Sequence, residues 1–184
     1  MKLEIAKDFS WTLDSSSLGG FAAAWKLGRM KDLSTITRSL PDGVAIFSPS
    51  ICAGPLHLRG VLEQALQSRN RGNGMLLARN SAIDLLMRLT CQSQIKEAMR
   101  VSGIASTNSL GAFGFADEES KISLLLDRVK SALGTAVCED YSLLGVDSKK
   151  IRYLRELHSI PGSVPDGSIV NYLLESSALL CLSK

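Results

Sequence analysis

The chain reads as an α/β protein of the α+β type: a mixed β-sheet packed against several helices, in one domain spanning residues 1–184. Three observations predict this class. Short apolar runs bounded by turn residues, such as Val44-Ala45-Ile46-Phe47 after Pro41-Asp42-Gly43, have the length and punctuation of strands. Longer segments place apolar residues at helical spacing, most clearly Leu58, Val61, Leu62, Ala65 and Leu66. The two kinds of segment are interspersed without strict strand–helix alternation, which suits a sandwich better than a doubly wound fold.

Taken in order, Lys2 to Ala6 alternates like a strand, and Phe9 to Leu13 continues or pairs with it. Ser15-Ser16-Ser17 offers helix caps, and Phe21, Ala24, Trp25 and Leu27 form the apolar side of an expected helix running toward Met30. After the Val44–Phe47 strand, Pro55 suits a first helical turn, and the helix it opens breaks between Asn70 and Gly74. Ser81 with Asp84 resembles a capping box for a second, largely buried helix through Leu89. Ser93 caps a third, and Gly103 followed by Ile104 fits a left-handed ending. Leu110 to Phe115 reads as a strand. Asp117, Glu118 and Glu119 then favour the start of a helix that Gly134 ends. Thr135 to Cys138 is a short strand, Asp147 or Ser148 caps a helix through Glu156, and Asp166 to Leu180 is the last helix.

Several function classes lack their chemistry. Cys52, Cys91, Cys138 and Cys181 lie far apart without a CxxC pair, which points to reduced thiols and a cytoplasmic protein rather than a zinc site or disulfide frame. Neither His57 nor His158 belongs to a metal-ligand motif, so neither metal nor cofactor is expected. No segment approaches the roughly 18 apolar residues of a membrane span, and Met1 to Ile5 lacks the apolar core expected of a signal peptide. Arg71-Gly72-Asn73-Gly74 is too short for a phosphate-binding loop, and the adjacent Glu139 and Asp140 read as a solvated acidic edge. His57, one residue off the apolar face of its helix, reads as a structural hydrogen-bonding group.

Charge carries the positive signal. Between residues 57 and 100 stand Arg59, Arg69, Arg71, Arg79, Arg88, Lys96 and Arg100, against only Glu63, Asp84 and Glu97. That segment holds +4 of a chain whose total is +3. A concentrated basic stretch favours a polyanion partner through counterion release. The competing account is that these are solvated helix faces.

Three stretches also recur in a familiar order. The first is His57-Leu58-Arg59-Gly60-Val61-Leu62-Glu63-Gln64-Ala65. Arg79 follows, then Ile83-Asp84-Leu85-Leu86-Met87-Arg88-Leu89, with aspartate where a glutamate is usual. The third is Ile95-Lys96-Glu97-Ala98-Met99-Arg100-Val101-Ser102-Gly103-Ile104, and Lys150 to Leu157 leads into the final helix. From Ile46 onward this pattern resembles the small kinase-binding subunit of the KEOPS (EKC) complex, the PRPK-binding protein (TPRKB) family, in its archaeal form.

The resemblance implies a non-catalytic accessory subunit whose partners are the atypical kinase/ATPase of KEOPS and tRNA. Such a subunit grips the 3′ CCA end and supports threonylcarbamoyladenosine formation at tRNA position 37. Arg71 and Arg79 bracket the turn between two helices and are the expected tRNA-binding residues, with Arg59 and Arg69 at the edge. Val170, Leu173, Leu174 and Leu180 on the apolar C-terminal helix are the expected kinase contacts, unless that helix serves only the core. Two alternatives stand beside this one: a pure protein-interaction module that regulates the kinase without RNA, and a small enzyme with a pocket near His57.

Overall fold

The structure, a computed structural model, describes residues 9–12, 19–28, 36, 39–71, 76–104, 107–116, 118, 121–134 and 137–182. The expected strand at Lys2–Ala6, the caps Ser15–Ser17, the turn glycines Gly72 and Gly74, and Asp117 and Glu119 lie outside these residues. Among the described residues, five strands form one sheet: β1 (Phe9–Thr12), β2 (Gly19–Leu27), β3 (Val44–Phe47), β4 (Ser109–Ala116) and β5 (Val137–Glu139). Their order is β1-β2-β4-β3, with β5 pairing the far end of β2.

Six α-helices lie wholly within the described residues: α1 (Pro55–Asn70), α2 (Ser81–Thr90), α3 (Ile95–Val101), α4 (Ile122–Leu133), α5 (Ser148–Leu157) and α6 (Ile169–Leu179). Several start where local chemistry says they should. Proline occupies the first turn of α1, and the Asp147 carboxylate accepts the Lys150 N–H at 2.7 Å to cap α5. Gly103 (φ 67°) and Gly134 (φ 90°) take up the positive φ values that follow α3 and α4. The cap of α2 falls one residue earlier than expected: Asn80 accepts the Ile83 N–H at 3.1 Å, which leaves Asp84 for another role.

The expected helix over residues 15–30 is instead β2. Phe21, Ala24 and Trp25 have helical spacing, and alanine is the best helix former, but residues Gly19 to Trp25 are all buried. Ala22 and Ala24 face α1 and α2, whereas Phe21, Ala23 and Trp25 face α4. A strand covered on both faces shows no polar alternation, so periodicity alone cannot distinguish it from a helix. Helices on both sides make a three-layer sandwich.

The sheet is antiparallel in every described ladder rather than mixed. The cause lies in how the chain returns from α3. The Ser48 N–H donates to the Ser102 carbonyl at 2.8 Å, which brings the end of α3 back to the C-terminal end of β3. The next strand must therefore run the other way, pairing Phe47 with Gly111 and Val44 with Gly114.

Two glycines in β4 allow that close pairing. A Cβ on Gly111 would sit 2.5 Å from the Phe47 ring, and one on Gly114 would collide with the Gly43 carbonyl. Backbone cannot yield as a side-chain tip can, so Gly114→Ala is expected to cost about 1–3 kcal/mol of stability. Urea unfolding checks this, and an unchanged midpoint would show that the strand end tolerates the methyl. Phe47 and Phe113 meet edge to face at 5.4 Å beneath α1, a contact worth roughly 0.5–1.5 kcal/mol beyond its buried area.

The last helix is anchored to the rest. Leu174 packs where a Cβ on Gly60 would lie, 2.6 Å from its Cδ1. The Gln64 amide donates to the Leu174 carbonyl at 2.8 Å, and the Cys91 thiol donates to the Leu173 carbonyl at 3.4 Å. No helix among the described residues is long and apolar enough to cross a membrane.

Candidate nucleic-acid interface

Charge counting treated seven basic residues alike, and burial separates them. Arg88 is 1% exposed. Its Nε donates to the Asp84 carboxylate at 2.9 Å and one terminal nitrogen donates to Ser68 at 3.0 Å, so it is a structural cation inside α1 and α2. Arg59 pairs with Glu63 one turn on at 2.8 Å, and Arg100 pairs with Glu97. No acid among the described residues pairs with Arg69, Arg71, Arg79 or Lys96.

Of the four expected tRNA residues, Arg69 lines a cleft, Arg71 and Arg79 are exposed and close to it in sequence, and Arg59 lies apart. Arg69, at the end of α1, lies with its guanidinium carbon 4.6 Å from the centroid of the Phe115 ring and donates to the Ser81 hydroxyl at the start of α2. It occupies the centre of the site rather than its edge. Arg71 follows immediately and Arg79 precedes α2, both exposed. Arg59 sits ten residues back along α1, about 15 Å along its axis at 1.5 Å per residue. Ten residues of helix also turn it to another face, so it does not belong to this surface.

Around Arg69 lies a cleft of about 380 Å³ lined by Asp42, Ser81, Phe115, Lys121, Leu124 and Arg128. Lys121 pairs with Glu118 at 2.9 Å, while Arg128 has no acidic partner among the described residues. The N-terminal end of α2 opens here through Ser81, adding the partial positive charge of a helix start. Cations around an accessible aromatic ring suit a phosphate-bearing chain with unstacked bases. Phe115, Lys121 and Arg128 lie outside the basic segment of residues 57–100. One signal for two of them existed: Lys121 and Arg128 are seven residues apart and so share a helix face. Aromatic residues are only 5% of the chain, yet the fold carries Phe115 to the cleft from the end of β4.

The expected kinase contacts fare unevenly. Leu173 is fully buried and Ile169 nearly so, while Val170 and Leu174 pack partly against the core clusters. Leu173 therefore cannot meet a partner without unfolding the helix. Leu180 is half-buried, and the residues that do project are Leu179 (60% exposed) and Leu182 (74%).

The adjacent carboxylates Glu139 and Asp140 have structural partners. Asp140 meets Lys26 at 2.6 Å and Glu139 meets Lys130 at 3.5 Å, so the adjacent carboxylates form separate ion pairs. The hydrogen bond from Lys26 holds the Asp140 carboxyl below its ordinary range. His57 is fully buried, and its Nδ1 accepts the Ala53 N–H at 3.3 Å. Burial pushes the Cys52 thiol up to about 11 and the Cys91 thiol up to about 12, far from nucleophilic. No group of acids, cysteines and histidines that could hold a metal exists among the described residues.

Fold and site together define an α+β protein with a basic, aromatic-floored cleft. No family model matches the chain, and no curated protein is similar enough to it to count as a match.

Proposed function

We propose that this chain is a non-catalytic accessory subunit of the KEOPS type, which holds the single-stranded 3′ CCA end of tRNA in the basic cleft. In that role it joins tRNA to the atypical kinase/ATPase subunit and supports threonylcarbamoyladenosine formation at position 37. The observation that carries the reading is the cleft itself, where Arg69, Lys121 and Arg128 surround Phe115 and exposed Arg71 and Arg79 lie close in sequence to its rim. The residue pattern from His57 to Ile104 supports the family assignment. On this reading the kinase docks at the C-terminal end of α6, through Leu179 and Leu182 with Leu180 at the margin.

The test is binding of tRNA by the purified chain, with and without its CCA end. Trimming the tail should abolish the complex. Arg71→Glu with Arg79→Glu should weaken binding at least about tenfold and reduce the salt slope by about 1.4, at roughly 0.7 per lost single-strand contact. Both residues are exposed, so circular dichroism should not change. Equal affinity for trimmed and intact tRNA would defeat the CCA assignment. Unaltered affinity in the folded double variant would defeat this surface. A variant Leu182→Glu should keep its melting temperature and lose kinase binding; retained kinase affinity would exclude that end of α6.

A further inference from the structure

We propose that the outer edge of β3 is a docking groove for an extended apolar peptide segment of a partner protein, which adds to the sheet as a further strand. Among the described residues, β3 is the last strand on its side and pairs with β4 alone. At its two ends the main chain is already engaged away from β4: the Val44 N–H donates to the Pro41 carbonyl at 3.4 Å, and the Ser48 N–H to the Ser102 carbonyl at 2.8 Å. Hydrogen-bonding direction alternates along a strand. Ile46, midway between them, therefore turns both its N–H and its C=O outward, and neither has a partner among the described residues. Ile46 is only 4% exposed, and an unpaired main-chain group in such a place is costly.

Those groups face a groove of about 280 Å³ that runs along residues 40–46, walled by Ile83 and Leu86 of α2, Met99 of α3, and Ile104. The geometry selects the occupant. A helix has its own main-chain groups satisfied, whereas an extended chain offers the reciprocal N–H and C=O pair that Ile46 lacks. Leu86 belongs to the cluster on one face of the sheet and Ile104 to that on the other. An added strand thus meets apolar side chains above and below, so successive residues of the peptide are apolar. Val44 to Phe47 carries no charge or proline, the usual devices that block such pairing.

The groove shares Asp42 and Gly43 with the basic cleft, yet its test uses no nucleic acid, so each reading can fail alone. The probe is a capped peptide with a Val-Ile-Val centre flanked by Gly and Lys, titrated into the isotope-labelled full chain. Amide exchange at Ile46 should slow roughly tenfold. N-methylation of the central residue should abolish that protection, and Met99→Lys, at an exposed position, should weaken binding roughly tenfold. Three results would overturn the proposal: unchanged Ile46 exchange at the highest peptide concentration, equal binding by the N-methylated peptide, or Ile46 protection that rises with protein concentration alone. The last would mean that the edge pairs with a second copy.

Discussion

Asp84→Ala is expected to destabilise the protein by about 3–5 kcal/mol, the usual cost of leaving a buried charge without its partner. Asp84 is 2% exposed and Arg88 is 1% exposed. With Asp84 gone, the guanidinium loses its carboxylate, and the Leu77 N–H loses the oxygen that accepts it at 2.7 Å. At roughly 2–4 °C per kcal/mol for a chain of this size, the melting temperature should fall by about 6–20 °C. Asp84→Leu combined with Arg88→Met should recover most of that loss, because an apolar pair of similar volume needs no compensation. Thermal unfolding of the single and double variants decides the matter. A single variant within 1 kcal/mol of the parent would show that the pair behaves like a surface salt bridge. The network also bears on the cleft: Ser68 adjoins Arg69, and Leu77 lies two residues before Arg79.

The same residues show what was legible in the sequence. Pro55, Asp147, Gly103 and Gly134 act through their own backbone chemistry, so the helix ends they set can be read without knowing the fold. The strand β2 could not be read that way. Its Phe21, Ala24 and Trp25 spacing becomes strand-like only once α4 covers one face and α1 the other, which is tertiary information. The antiparallel sheet depends on the hydrogen bond between Ser48 and Ser102, 54 positions apart in sequence. Charge is additive along a chain but burial is not. Counting placed Arg88 among surface cations, though it lies inside, and left out Lys121 and Arg128, though they line the cleft. Arg71 and Arg79 were legible because both flank a break between helices, where long charged side chains remain in solvent.

Acid should unfold this protein well before its carboxylates are titrated, and two histidines are the cause. His57 is fully buried, and its Nδ1 already accepts the Ala53 N–H, so the neutral ring carries its proton on Nε2, which has no partner among the described residues. Burial, with His158 beside it, holds the His57 imidazole down to about 3. Burial alone holds His158 down to about 4. In the unfolded chain both titrate near 6.5. Below that value the unfolded state binds more protons than the folded state, so folding stability falls as pH falls. It is fully present above pH 6.5 and declines by about 1.4 kcal/mol per pH unit for each histidine. By pH 4.5 the pair should remove about 5 kcal/mol, comparable to the whole stability of many domains. Lys150, also partly desolvated, donates to the carbonyls of Leu143 and Gly145 and stays protonated throughout this range, so it adds no slope. Urea midpoints between pH 7.5 and 4.5 should therefore drop steeply in the parent. They should drop much less in a His57→Gln, His158→Gln variant, whatever its absolute stability. Equal slopes in the two proteins would clear these histidines of the acid lability, because Asp140, whose carboxyl the Lys26 hydrogen bond holds below its ordinary range, gives up its ion pair only at lower pH.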